Sequence, residues 1–117
     1  MVARERLICA SDELVDGGPG VRFEVGIDGA EAPLPAFAVR FHGRVQAYLN
    51  RCGHIPVEMD WQHGQFFDSG GLYLICATHG ALYDPATGRC VGGRCNGRGL
   101  VPLAVRERGG SVFLLEG

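Results

Sequence analysis

Two short segments, Cys52-Gly53-His54 and Cys76-Ala77-Thr78-His79, restrict this chain more than anything else in it. Twenty-one residues lie between them, and each segment offers one thiolate and one imidazole. Soft thiolates and borderline imidazoles suit either zinc or an iron-sulfur cluster. If all four serve one inorganic centre, the fold must bring two distant loops together. A structural zinc site usually keeps its histidines together, as His-x3-5-His, after a cysteine pair. Here each half supplies one Cys and one His, so neither half follows that pattern.

The flanks of both segments read as strand followed by tight loop. At 117 residues the chain is long enough for one domain with a single core, and 19 Gly with 6 Pro predict short strands and many turns. Residues 6–10 form a short apolar run, and residues 21–27 alternate so that one face is expected to be buried. Residues 36–41 and 44–49 flank His42-Gly43 and predict a hairpin with a two-residue turn, whose second strand runs into Cys52. A strand over 72–76 ends on the second Cys, and residues 81–83 pair beyond it. Residues 85–88 predict a turn, and 100–105 with 111–115 a closing hairpin around Arg108-Gly109-Gly110. No repeat and no amphipathic helix is evident. The expected architecture is antiparallel all-β, a sandwich or barrel base carrying a small inserted subdomain over residues 48–95, within a single domain of residues 1–117.

A net charge of −2 argues against nucleic acid or an anionic membrane as the main partner. No stretch approaches the roughly 18–20 apolar residues of a membrane span. The N-terminus, with Arg4, Glu5 and Arg6, carries charge where a signal peptide would place its apolar run, so a cytoplasmic location is expected. All 11 basic residues are Arg, and they are unevenly spread: residues 1–35 hold seven acids, whereas residues 88–108 hold Arg89, Arg94, Arg98, Arg106 and Arg108 against Glu107 alone. With Arg51, these are compatible with two readings, a basic collar near the two Cys-His loops that would steer an acidic partner, or an ordinary mixed solvated surface.

After the second pair the chain continues Gly80-Ala81-Leu82-Tyr83-Asp84-Pro85-Ala86-Thr87-Gly88. Cys-x-His, then Cys-x-x-His-Gly, an aromatic-Asp pair and Thr-Gly together resemble the signature of the Rieske iron-sulfur family. The resemblance is close over residues 48–92 and looser in the flanks. It implies a 2Fe-2S cluster with Cys52 and Cys76 on one iron and His54 and His79 on the other. It also implies that the loops project from a β base. Neutral imidazole in place of two thiolates makes such a cluster easier to reduce, with potentials of about −150 to +300 mV.

Departures from the family pattern carry information. Gly53 and Ala77 stand where many members have Pro, and neither loop has the additional Cys of the high-potential members. Those members also place a hydroxyl donor where this chain has Ala81, whereas Tyr83 matches a Tyr that donates to a ligand sulfur. Losing one donor to sulfur lowers the potential, so a low-potential, ferredoxin-like protein is expected. Cys90 and Cys95 bracket Val91-Gly92-Gly93-Arg94 in the segment that the resemblance folds over the cluster. A disulfide between them is sterically conceivable and stays open as a reading, while the expected cytoplasmic location favours free thiols. Cys9, in an apolar run, reads as core, and His42 and His63, each beside Gly, as solvated turn residues.

These features imply an electron carrier rather than an enzyme: a soluble Rieske-type ferredoxin passing one electron from a reductase to an oxygenase or related acceptor. The chain is too short for the oxygenase itself, and no 2-His-1-carboxylate set remains once His54 and His79 are used. An alternative is a small non-catalytic redox-sensing or electron-transfer subunit of a larger oxidoreductase complex. A third, a zinc-stabilised interaction module, would be colourless where an iron-sulfur protein is red-brown.

Overall fold

The computed structural model describes residues 4–26, 33–51, 59–60, 64–68, 70–76, 80–93 and 99–116. Among these the regular elements are ten strands and one 3-10 turn, Ser11–Glu13. The strands are β1 (Arg4–Ala10), β2 (Val21–Val25), β3 (Leu34–Phe41), β4 (Arg44–Leu49), β5 (Leu74–Ile75), β6 (Leu82–Tyr83), β7 (Cys90–Gly92), β8 (Pro102–Leu103), β9 (Val105–Arg108) and β10 (Ser111–Glu116). They form three antiparallel sheets, in the orders β1-β10-β9, β2-β3-β4-β8 and β5-β6-β7.

Two hairpins of the base follow directly from their turns. His42 (φ 51°) with Gly43 (φ 79°), and Gly109 (φ 57°) with Gly110 (φ 79°), pair left-handed residues, the geometry that matches strand twist. His42 is the non-glycine residue asked to adopt it, and Asp16 compensates. Its carboxylate accepts from the His42 and Gly43 backbone N–H groups at 2.9 and 2.6 Å. The His42 ring stays exposed and stacks on Phe41 with centroids 3.9 Å apart.

Small and branched residues line the space between the two larger sheets: Cys9, Ala38, Ala47 and Val112 in one patch, Val25, Ala36, Leu49 and Leu114 in the next. Cys9 is therefore core, as its apolar surroundings predict, and burial with nearby Glu13 pushes its thiol pKa up to about 11. Arg40 ties the elements together. Its guanidinium donates to the Leu14, Ser11 and Gly43 carbonyls and to both oxygens of Glu107, the latter at 3.0 and 2.5 Å.

Several elements differ from the sequence expectation. The strand expected over 72–76 contracts to β5, because the Asp68 carboxylate accepts from the N–H groups of Leu72 and Tyr73 and bends the chain there. Strand β2 turns the expected face inward, with Val21 and Phe23 packing on the core, yet only Val25 is fully buried because β2 is an edge strand. The segment expected as one strand over 100–105 divides between β8, which pairs with β4, and β9, which forms the hairpin with β10. Strand β7 has no counterpart in the sequence reading.

The β5-β6-β7 sheet is attached through a third buried cluster. Phe37, Val39 and Tyr48 from β3 and β4 meet Met59, Phe66, Leu74, Cys76, Ala81, Tyr83 and Leu100. Phe37 stacks on Phe66 with centroids 3.9 Å apart. Each large side chain buried here contributes about 1.5–3 kcal/mol. The Tyr48 hydroxyl, fully buried, donates to the Pro85 carbonyl at 2.7 Å and so bonds the base to the turn after β6.

Candidate metal centre

Cys52, His54, His79 and Cys95 lie outside the described residues, as does His63. The described residues show how the two loops that carry the first three are anchored. Strand β4 delivers the chain to Asn50, which is 1 % exposed. The Asn50 N–H donates to the Pro35 carbonyl at 2.8 Å, and its side-chain carbonyl accepts from Met59 N–H at 2.9 Å. Its amide group donates to Asp60 Oδ1 at 2.9 Å. One side chain thus holds both ends of the segment 51–59 that contains Cys52 and His54.

Asp60, 4 % exposed, is a buried carboxylate and needs its charge compensated. Asn50 supplies one donor, the Gly64 N–H a second at 2.9 Å, and Arg22 Nε lies 3.2 Å from Oδ2. Arg22 reaches this site from edge strand β2. Neither Asn50 nor Asp60 was singled out from sequence. Asn50 stands two positions before Cys52, but nothing in the spacing announces that its side chain turns inward.

The described ends of the second segment are joined by backbone hydrogen bonds. Cys76 N–H donates to the Ala81 carbonyl at 2.9 Å, and Gly80 N–H to the Cys76 carbonyl at 2.7 Å. Gly80 takes φ 70°, the left-handed conformation that glycine adopts without cost. The loop bearing His79 is therefore pinched at its base. Met59, at the end of the first loop, and Cys76 and Ala81, at the ends of the second, belong to one buried cluster. The described ends of both Cys-His segments therefore meet the same patch of core.

Cys76 is fully buried among apolar side chains that include Tyr83 and Ala81, both also fully buried. A thiolate in such surroundings is destabilised unless a cation neutralises it. A buried thiol in apolar surroundings therefore fits a sulfur ligand to a metal cluster, whose charge would compensate the thiolate. Among the described residues no group of three or more His, Cys, Asp and Glu converges, Cys76 being the one expected ligand that falls within them.

Two sequence expectations are corrected. Arg106 and Arg108 do not join a collar around the loops. They lie on β9, and both pair with Glu5 of β1, at 3.4 and 2.6 Å, while Arg108 also sits 5.1 Å over the Phe113 ring. The acids and bases that segregate along the chain meet across a sheet, because β10 brings β1 and β9 to its two edges. Arg51 and Arg89 are exposed, and Arg94 and Arg98 lie outside the described residues. Cys90 is not a thiol but disulfide-bonded, whereas Cys9 and Cys76 are thiols.

No helix among the described residues is long and apolar enough to cross a membrane. The family model for the Rieske [2Fe-2S] domain matches residues 5–107. No curated protein sequence matches the chain. Among solved structures, the ferredoxin of carbazole 1,9a-dioxygenase from Nocardioides aromaticivorans IC177 superimposes with a TM-score of 0.70 at 21 % identity, covering 97 % of this chain and 98 % of that one. A Sphingomonas yanoikuyae B1 ferredoxin gives 0.72 at 19 % identity, over 97 % and 100 % of the two chains. The quaternary ammonium Rieske monooxygenase CntA gives 0.72 at 18 % identity, with 96 % of this chain covering 30 % of that protein.

Proposed function

We propose that this chain, which belongs to the Rieske [2Fe-2S] domain family, is a ferredoxin that carries one electron from a reductase to an oxygenase or related acceptor. The observation that carries the reading is that the described ends of both Cys-His segments, Met59, Cys76 and Ala81, belong to one buried patch. Cys52 and Cys76 would hold one iron of the 2Fe-2S cluster, and His54 and His79 the other, on an inserted unit over residues 48–95. When bound, the cluster supplies a site that takes up and releases one electron.

The chain's own residues prepare that site. Tyr83, buried against Cys76, is the candidate donor to a ligand sulfur, and Ala81 leaves a second donor position unfilled. The Asn50–Asp60–Arg22 network and the Cys76–Ala81 hydrogen bond fasten the residues at the ends of the two loops. A solved complex of an oxygenase with a ferredoxin of carbazole 1,9a-dioxygenase, whose chain matches at a TM-score of 0.70 over 95 % of this one, supports an oxygenase as acceptor. We also read the chain as a carrier without catalysis of its own, and as cytoplasmic.

The alternative, a redox-sensing or electron-transfer subunit of a larger oxidoreductase complex, draws support from the Cys90 disulfide, which a plain carrier does not need. Iron and acid-labile sulfide analysis, with an electron paramagnetic resonance spectrum of the dithionite-reduced protein, tests the ligation. Wild type should hold two irons and two sulfides per chain, and both His54→Ala and Cys76→Ala should lose them with the stability of the segment they organise. Full iron and sulfide with an unchanged spectrum in the single variants would show the ligand set to be wrong. A stopped-flow assay of electron delivery to a purified Rieske oxygenase then separates the carrier from the sensor.

A further inference from the structure

We propose, resting on the Rieske reading, that the Asp60–Arg22 ion pair sets the potential at which this protein takes up its electron. The Asp60 carboxylate lowers that potential, and the Arg22 guanidinium offsets part of the effect. A cluster gains one negative charge on reduction, so a fixed charge held nearby changes how readily it does so. This is a role of charge, separate from the part the same two side chains play in fastening the first Cys-His segment.

The neighbours of Asp60 place it for such a role. It directly follows Met59, which belongs to the buried cluster that holds Cys76, Ala81 and Tyr83. Asn50, two positions before Cys52, donates to Asp60 Oδ1 at 2.9 Å, and the Gly64 N–H donates to Oδ2 at 2.9 Å. The carboxylate therefore stands at both described ends of the first Cys-His segment and borders the patch to which Cys76 belongs. These hydrogen bonds hold the oxygens in place without removing the charge.

The two partners differ in how much water they meet. Arg22 Nε lies 3.2 Å from Asp60 Oδ2, yet the Arg22 side chain is 30 % exposed against 0 % for Asp60. Water screens the guanidinium from its open side, whereas the carboxylate lies wholly in protein, where a charge is felt farther. The pair thus leaves a net negative field on its interior side. An added electron is disfavoured there, so the potential lies below what the ligand set alone would give. This cause of a low potential is independent of Ala81, which acts by offering no donor to sulfur.

Midpoint potentials of the full chain with its cluster, measured by protein-film voltammetry, decide the matter. Asp60→Asn keeps the shape and removes the charge, and should raise the potential, several-fold in the equilibrium constant for reduction. Arg22→Gln should lower it by a smaller factor, because water already screens that charge. Arg22→Lys, which keeps the charge, should stay near wild type, and the Asp60→Asn/Arg22→Gln double variant should lie between the two singles. A purely structural role would move both singles the same way, or move neither while lowering the urea midpoint. Any pattern other than opposite shifts overturns the proposal. If Asp60→Asn fails to hold its cluster, the Arg22 variants on edge strand β2 still decide: a fall in Arg22→Gln that Arg22→Lys does not share supports the charge effect, and equal potentials refute it. Iron and sulfide content of the same samples tests the cluster reading separately. Wild type without a cluster refutes both, whereas wild type with a full cluster and variants of unmoved potential refutes the charge effect alone.

Discussion

Tyr83 and Ala81 are the positions at which single residues are expected to set the character of this site. Both are fully buried in the cluster that contains Cys76, so a hydroxyl at either position works in a medium that screens it poorly. A donor to sulfur stabilises the cluster with the extra electron, because that state carries more negative charge. Tyr83→Phe is therefore expected to lower the midpoint potential and Ala81→Ser to raise it, which protein-film voltammetry measures directly. Unchanged potentials in both variants would mean that neither side chain reaches the sulfur atoms. The expected ligands could be picked out at this scale because ligand chemistry limits which residue types serve and in what spacing, and of the four Cys76 falls within the described residues. Their supports could not. Asn50, Asp60 and Arg22 act through orientation, and an Asn before a loop reads as an ordinary turn residue until its side chain is seen to face inward.

Between elements, the described ends of the two Cys-His segments are tied by hydrogen bonds of Asn50, Cys76 and Gly80. Replacing Asn50 with Ala removes both hydrogen-bonding side-chain atoms at once and leaves Met59 N–H and one Asp60 oxygen without that partner. Stranding buried polar groups costs about 1–3 kcal/mol each, so Asn50→Ala should lower the urea midpoint and speed cluster loss to a chelator. Asn50→Asp, which keeps the acceptor for Met59 but sets two carboxylates together, should fare no better. Wild-type chelator kinetics in Asn50→Ala would show that the loop is held elsewhere. Element-level legibility follows the same physics. The β3–β4 hairpin was readable because alternation and a His-Gly turn agree. Strand β7 was not, because Val91 is flanked by Cys90 and two glycines and shows no alternation. Its pairing is dictated by the space beside β6. The shortening of β5 likewise comes from a side chain, Asp68, that competes for backbone donors.

For the molecule as a whole, stability should be bounded by two pH limits with different owners. At the acid end stands Glu107, whose carboxyl is held below the usual range chiefly by the hydrogen bond from Arg40. A group whose folded pKa is depressed stabilises fully above its unfolded value, near 4.3, and loses that contribution as pH falls through the lower folded value. The pair is partly solvated, so its worth is about 1 kcal/mol or less. At the alkaline end stand Cys9, with a pKa of about 11, and Tyr48, raised to about 12 by burial and then by Asp84. Raised folded values give the opposite sign. Stability is complete below the unfolded values, near 8.5 and 10, and falls as pH rises through the folded ones. Urea titrations of wild type and Glu107→Gln from pH 3 to 8 should therefore show a gap at neutral pH that narrows below about 4.3 and closes in more acid solution. In the alkaline arm, Cys9→Ala and wild type should lose stability differently above pH about 9, the variant showing the shallower decline even though its smaller side chain lowers the starting value. A gap between wild type and Glu107→Gln that persists at pH 3 would mean that shape, and not the Arg40 charge pair, is what Glu107 contributes to joining the sheets.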